Sequence, residues 1–277
     1  MISASDYDFL RNYLKARSGL VLTDDKHYLL ESRLEPVMRR FDLPDMARLA
    51  RALRDTSKPG LADAVVEAMT TNESLFFRDR KPFDILTSVM LPTLARNRRP
   101  GLPLRIWCAA ASTGQEPYSI AMTLRENAHL LGGRTVEIIG TDLSSDVLDR
   151  ATAGLYNQFE VQRGLPIQLL LKYFTKSGDQ WQIAPELRAM VKFRRLNLLE
   201  PFSMLGMFDI VFCRNVLIYF DVPTKENVLA RIAKSTASDG YLLLGGAETV
   251  MGISDAFVSG PQPGFYVPKM RAMEAMA

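Results

Sequence analysis

The side chains best suited to hold a ligand sit where apolar, strand-like runs end. The run "LRIWCA" stops at Ala109 and passes through Ala110, Ala111, Ser112, Thr113 and Gly114 into Gln115, Glu116 and Pro117. A second run ends in Thr141-Asp142, a third in Asn197-Leu198 and a fourth in Cys213-Arg214-Asn215. An acidic strand tip such as Asp142 can accept both hydroxyl protons of a ribose. The first junction, however, is not a phosphate cradle: such turns carry several glycines, and this one has Gly114 and a row of alanines. Asp142 also follows Gly114 at a longer spacing than the roughly 20 residues of the dinucleotide fingerprint.

A ligand with an adenosine and no pyrophosphate would answer this pattern. It would use Asp142 and the Asn197-Leu198 edge, and small side chains with one glycine would admit an uncharged or cationic portion. S-adenosylmethionine meets that description. Asp142 taken alone is equally a helix cap or a surface charge, and a nicotinamide dehydrogenase is disfavoured by the missing glycines. The stretch "TTNESLFFRDRKPF" adds Arg78, placed directly after the paired aromatics Phe76 and Phe77.

These tips need a scaffold. From residue 104 onward, apolar runs alternate with helical patterns: 104–109, 135–143, 191–198, 208–215 and 240–246 read as strands. Runs of this kind separated by crossover helices predict an α/β fold with a doubly wound, mostly parallel sheet covered on both faces. "FYVPK" (265–269) is expected as an antiparallel edge strand beside "GYLLLGG". Residues 1–95 contain helical patterns only. The first opens on cap-type Ser3 and Ser5 and stops at Gly19; in the second, Pro36 is expected to kink or break the helix. "FTKSGDQWQI" reads as a small hairpin inserted between the second and third sheet strands, with an irregular loop as the alternative. The expected domains are a helical unit over 1–80, an α/β domain over 81–277 and the inserted subdomain over 155–193.

Composition narrows the function. A net charge of +3 argues for no nucleic-acid partner, and no apolar run approaches the ~20 residues that span a bilayer. Two cysteines, Cys108 and Cys213, suit small core positions in a cytoplasmic protein. Two histidines without metal-ligand company make a zinc site or a Ser-His-Asp hydrolase a poor reading, and no metal is expected.

"TTNESLFFRD", "WCAAASTGQEPYS", "GTDLSSDVLDRA", "LNLLE" and "FDIVFCRNVLIYFD" closely resemble, in this order, the motifs of the chemotaxis receptor methyltransferases, the CheR family. The resemblance runs from about residue 5 to 268. It implies a protein-glutamate O-methyltransferase that uses S-adenosylmethionine on the cytoplasmic methylation helices of a chemoreceptor. Carried over by motif, Asn72, Ser74, Arg78, Glu116, Asp142, Asn197, Leu198, Arg214 and Asn215 would contact the cofactor. Ser74 stands where the family usually has threonine and keeps the hydroxyl; Gln115 departs from a common glutamate, with Glu116 beside it. Arg78 would hold a carboxylate and Tyr219 would line the methyl-transfer pocket, unless Tyr219 is a core aromatic. Arg33, Arg39 and Arg40 on the second helix would dock the receptor, or form a solvated charged face. Some family members grip a receptor's C-terminal peptide with a loop of glycines flanking an arginine. The hairpin here has one glycine and no arginine, so no pentapeptide tether is expected. A methyltransferase with another acceptor and a non-catalytic cofactor-binding adaptor are the competing readings.

Overall fold

A computed structural model describes residues 2–23, 26–99 and 101–269. Contacts divide the chain into two compact units, Met1–Thr71 with Tyr219–Thr224, and Asn72–Ile218 with Lys225–Ala277.

The first unit is built from helices α1 (Ala4–Ser18), α2 (His27–Arg40), α3 (Met46–Arg54) and α4 (Leu61–Met69). Local chemistry sets their ends. Ser3 caps α1 by accepting from the Asp6 N–H at 3.1 Å, and Gly19 closes it in the left-handed conformation at φ 76°. Asp45 caps α3 by accepting from the Arg48 N–H at 2.7 Å. Apolar residues at helical spacing, including Leu10, Leu14, Leu30, Leu34, Leu49 and Val65, are fully buried between the helices. His27 stacks on Tyr7 with ring centroids 3.5 Å apart. Pro36 does not break α2, which runs continuously through it: proline removes one ladder hydrogen bond, and Leu30, Leu34 and Val37 still bury one face.

The second unit holds the strands β1 (Leu104–Ala109), β2 (Val136–Asp142), β3 (Leu155–Asn157), β4 (Phe174–Ser177), β5 (Gln180–Ile183), β6 (Val191–Arg195), β7 (Phe208–Cys213), β8 (Thr236–Leu244), β9 (Phe257–Ser259) and β10 (Phe265–Pro268). Seven form one sheet in the order β6-β2-β1-β7-β8-β10-β9. The first five are parallel, and β10 runs antiparallel to both β8 and β9. β10 is thus not the edge; the short β9, whose three residues carry no readable alternation, lies outside it. The insertion is a three-stranded antiparallel sheet, β3-β5-β4, rather than a hairpin alone. Its β4–β5 turn is Gly178-Asp179, closed by the Ser177–Gln180 pair, with Gly178 at φ 58°. β3 was invisible as a strand because three residues suffice when Leu155–Asn157 find ready partners in Gln180–Gln182.

The chain lays β1, β2 and β6 outward in one direction, then returns to place β7 on the other side of β1. Neighbouring strands Ala109 and Cys213 are in register at this reversal. A crevice outside the carboxyl ends of β1 and β7 follows from the topology, and ligands of open parallel sheets bind there.

Asp221, grouped with the helical unit, heads the helix Val222–Ser235. One carboxylate oxygen accepts from the Thr224 N–H at 3.0 Å and the other pairs with Lys15 at 2.7 Å. Lys15, then Thr224, hold its carboxyl at about 2. A value below the ordinary one near 4 contributes stability that is complete above that pH and is lost as pH falls through 2. Asp221→Ala should cost about 1 kcal/mol at neutral pH in urea unfolding, and the difference from wild type should close near pH 2.

Candidate active site

The sharp turn after β1 comes first. Ala110 and Ser112 adopt φ 62° and 50°, a region that costs residues with a side chain about 1 kcal/mol or more. The turn is held by Asp142, whose carboxylate accepts from the Ser112 N–H at 2.8 Å and the Ser144 N–H at 3.1 Å. Ser112 in turn donates its hydroxyl to the Asn72 carbonyl at 3.0 Å, which fixes the connecting segment against the β1 loop. Asp142 therefore organises the loop as well as closing β2. Gly114 has a reason within the fold that the sequence did not show. At φ 91° it needs to be glycine, and an added Cβ would lie 2.9 Å from Ala151 Cβ and 3.1 Å from the Tyr118 ring. Protein packing by itself excludes a side chain there.

Arg214 follows β7 and ties together more stretches of chain by charge than the other residues read at the strand tips. Its guanidinium is buried and donates to Glu116 at 2.6 Å, to Asp79 at 2.6 Å and to the Arg78 carbonyl at 3.2 Å. Glu116 opens the helix Gln115–Glu126, and Asp79 belongs to the segment before the sheet. Three stretches of chain remote in sequence thereby meet at one cation. Phe77, Asp79, Arg80 and Asn215 all have positive φ, so backbone strain gathers on these same stretches. Burial lifts the Glu116 carboxyl above the ordinary glutamate range, against the pull of Arg214. The Arg214 Nε is buried without an acceptor in the structure.

The remaining residues read from the sequence separate into groups. Asn197 accepts from the Leu199 N–H at 3.0 Å, and the Leu198 carbonyl accepts from Arg231 at 2.6 Å. Arg231 also donates to the Glu200 carbonyl at 2.5 Å and lies over the Phe202 ring, so it holds the Asn197-Leu198 turn in shape. The Arg78 side chain is half-buried and reaches the Glu73 carbonyl at 3.3 Å; Ser74 is half-buried. Tyr219 falls in the other compact unit, where its carbonyl accepts from the Val21 N–H at 2.9 Å. Of the three arginines of α2, Arg33 is occupied within the helical unit. It donates to the Met69 carbonyl at 2.8 Å, the Thr70 carbonyl at 3.2 Å and the Thr71 hydroxyl at 3.1 Å, satisfying the end of α4. Arg39 pairs with Glu35 and Arg40 lies over Phe41, both exposed. Sequence reasoning assigned no role to Asp79, Arg231 or Glu248, and it placed Ser112 in the β1 loop without its partners Asp142 and Asn72. Glu248 alone carried a signal, an acid four residues past the end of β8, the one parallel strand whose tip was not read.

S-adenosylmethionine would ask this edge for an anion beside its ammonium, a cation beside its carboxylate and an acid beside its ribose. Glu116, Arg78 with the unsatisfied Arg214 Nε, and Asp142 supply those chemical types. Breaking a buried ion pair leaves the survivor uncompensated, so Arg214→Ala should lower unfolding free energy by about 3–5 kcal/mol in urea titration. Glu116→Gln should behave differently. The folded state holds the Glu116 proton more tightly than the unfolded chain, so wild type should lose stability relative to the Gln variant as pH rises from about 4.

The sequence family described as CheR methyltransferase, SAM binding domain, matches residues 72–263, and the CheR methyltransferase all-alpha domain matches residues 5–70. The chain is 43% identical over 260 residues to chemotaxis protein methyltransferase 1 of Vibrio cholerae serotype O1, covering 92% of this chain and 93% of that one. It is 41% identical over 257 residues to chemotaxis protein methyltransferase 1 of Pseudomonas aeruginosa, covering 91% and 93%. A chemotaxis protein methyltransferase of Salmonella typhimurium is 35% identical, with 89% and 85% covered. The chain belongs to the CheR methyltransferase family, whose cofactor is S-adenosylmethionine.

Proposed function

We propose that this protein transfers a methyl group from S-adenosylmethionine to glutamate side chains on the cytoplasmic helices of a chemoreceptor, giving the methyl esters of chemotaxis adaptation. Near-full-length likeness to proteins named chemotaxis protein methyltransferases supports the biological setting. The observation that carries the chemistry is the charge arrangement at the reversal of the sheet, with Arg214 between Glu116 and Asp79 and no imidazole involved. Of the two histidines, His27 stacks on Tyr7 in the helical unit and His129 is exposed on a short turn.

When bound, S-adenosylmethionine would supply a methyl group on a sulfonium that a carboxylate oxygen could take, the carbon–sulfur electron pair staying with sulfur as a neutral thioether. A glutamate is already ionised at neutral pH, so no base is needed and no proton moves. The chain's contribution is alignment and exclusion of water, because an anion and a cation neutralise each other on the way to the transition state. In this reading Asp142 takes the ribose, Asn72, Ser74, Asn197, Leu198 and Asn215 line the cofactor, and Glu116 faces the ammonium. Arg78 holds a carboxylate. Arg39 and Arg40 present an exposed basic face for glutamate-rich receptor helices. We place the protein in the cytoplasm with those helices; no helix among the described residues is long and apolar enough to cross a membrane. The Gly178-Asp179 turn carries no arginine, and docking here does not depend on a receptor's C-terminal peptide.

Incubation with methyl-labelled S-adenosylmethionine and receptor cytoplasmic fragments should label the fragments, and mild alkali should release the label as methanol. Alkali-stable label would mark a nitrogen acceptor and defeat the glutamate assignment. Arg78→Ala should lower kcat/KM ten- to a hundredfold, the loss of one charge-assisted hydrogen bond of about 1.5–3 kcal/mol. Calorimetric titration with a receptor C-terminal pentapeptide should give no heat of binding; tight binding would overturn the untethered reading.

A further inference from the structure

Glu248 is buried, at 8% exposure, in the loop after β8. One of its carboxylate oxygens accepts from the N–H groups of Val216 at 2.9 Å, Leu217 at 2.7 Å and Ile218 at 3.3 Å. The other accepts from Asn215 N–H at 2.7 Å and Gly245 N–H at 2.7 Å. Four consecutive backbone donors of the β7 loop, 30 to 33 residues upstream, and one of the β8 loop, three residues upstream, thus converge on a single side chain. An ionised carboxylate accepts at about four lone-pair sites and donates nothing, which suits a cluster made only of donors. No backbone carbonyl could serve all five.

We propose that Glu248 is the positioning residue that sets the Arg214-Asn215 edge of the cofactor site. This rests on the reading that the cofactor lies at that edge. Three observations converge on it. Asn215 has φ 59°, in the left-handed region that asparagine tolerates better than most residues, and its N–H is one of the five donors that fix the loop in that conformation. Arg214, whose guanidinium must reach both Glu116 and Asp79, immediately precedes this clamped backbone. Gly245 has no room for a side chain: an added Cβ would lie 2.7 Å from Asn215 Nδ2 and 2.8 Å from Glu248 Oε2. The two loops are therefore packed directly on each other around the carboxylate. If the Glu248 carboxylate is replaced by an amide, at least two of the five N–H groups face an NH2 instead of an acceptor, and the loop must rearrange to satisfy them, carrying Arg214 and Asn215 with it. Glu248 touches no cofactor atom in this account; it acts through the backbone.

Glu248→Gln tests the idea in the full chain. The amide matches the carboxylate in shape but turns an NH2 group toward at least two N–H donors. Affinity for S-adenosylhomocysteine is read by calorimetry, thermal stability by melting, and amide exchange by mass spectrometry. Asp209→Asn serves as the structural control. Asp209 accepts from the Arg105 N–H at 2.7 Å and pairs with Arg98, at the start of β1 rather than its carboxyl end. Both variants should melt earlier. Only Glu248→Gln should weaken S-adenosylhomocysteine binding tenfold or more, with loss of amide protection at 215–218 and 245 together. Asp142→Asn separates this proposal from the site assignment beneath it. If Asp142→Asn loses affinity while Glu248→Gln binds within twofold of wild type, the positioning role is wrong and the site stands. If neither variant loses affinity, the site reading fails and the proposal with it. Should Glu248→Gln not fold, wild-type exchange decides: S-adenosylhomocysteine should raise protection at 215–218 and 245 as one group, and unchanged exchange there would overturn the proposal.

Discussion

One buried guanidinium joins the parts of the α/β unit that matter for chemistry. Arg214, at the end of a strand buried along its whole length, reaches the helix that follows β1 through Glu116 and the segment that precedes the sheet through Asp79. A lysine could not do this, because its single ammonium lacks the planar fork that addresses two carboxylates and a carbonyl at fixed angles. Burial raises the stakes of the arrangement. Removing Arg214 or Glu116 leaves its partner's charge in a poorly solvated place, whereas Asp79 is half-exposed and water can replace part of its pairing.

Around this cation, acids serve as acceptors for irregular backbone. Turns that leave a strand sharply cannot return their N–H groups to a ladder, and buried N–H groups need partners. Asp142 meets that need for the β1 loop and Glu248 for the β7 and β8 loops. The strain at Ala110, Ser112 and Asn215 is sustained by these carboxylates. Such preorganisation suits a reaction in which the protein has no proton to move. Holding partners in line and keeping water out are then the main tasks, and both depend on loops whose shape is settled before a ligand arrives.

Much of the architecture was legible from local pattern. Parallel strands buried on both faces read as continuous apolar runs, and the runs expected at 104–109 and 208–215 correspond to β1 (Leu104–Ala109) and β7 (Phe208–Cys213). Helix ends were legible where one side chain or one glycine does the capping, as at Ser3 and Gly19. Short strands were not: β3 and β9 span three residues each, and their pairing depends on partners distant in sequence. Pro36 does not break α2, because its local penalty is outweighed by the apolar face that the helix buries.

The same division runs through the site. Sequence by itself determined which chemical groups stand at the strand tips, because residue type and position after an apolar run are local facts: Glu116, Asp142, Asn197, Arg214 and Asn215. Only the tertiary structure decided what each does. Gly114 answers to Ala151 and Tyr118, Arg33 to the carbonyls ending α4, Asp142 to Ser112 and Ser144, and Glu248 to five N–H groups in two loops. Each of those partnerships spans a fold-dependent distance, and hydrogen bonds and packing contacts act over a few ångströms of space irrespective of separation along the chain.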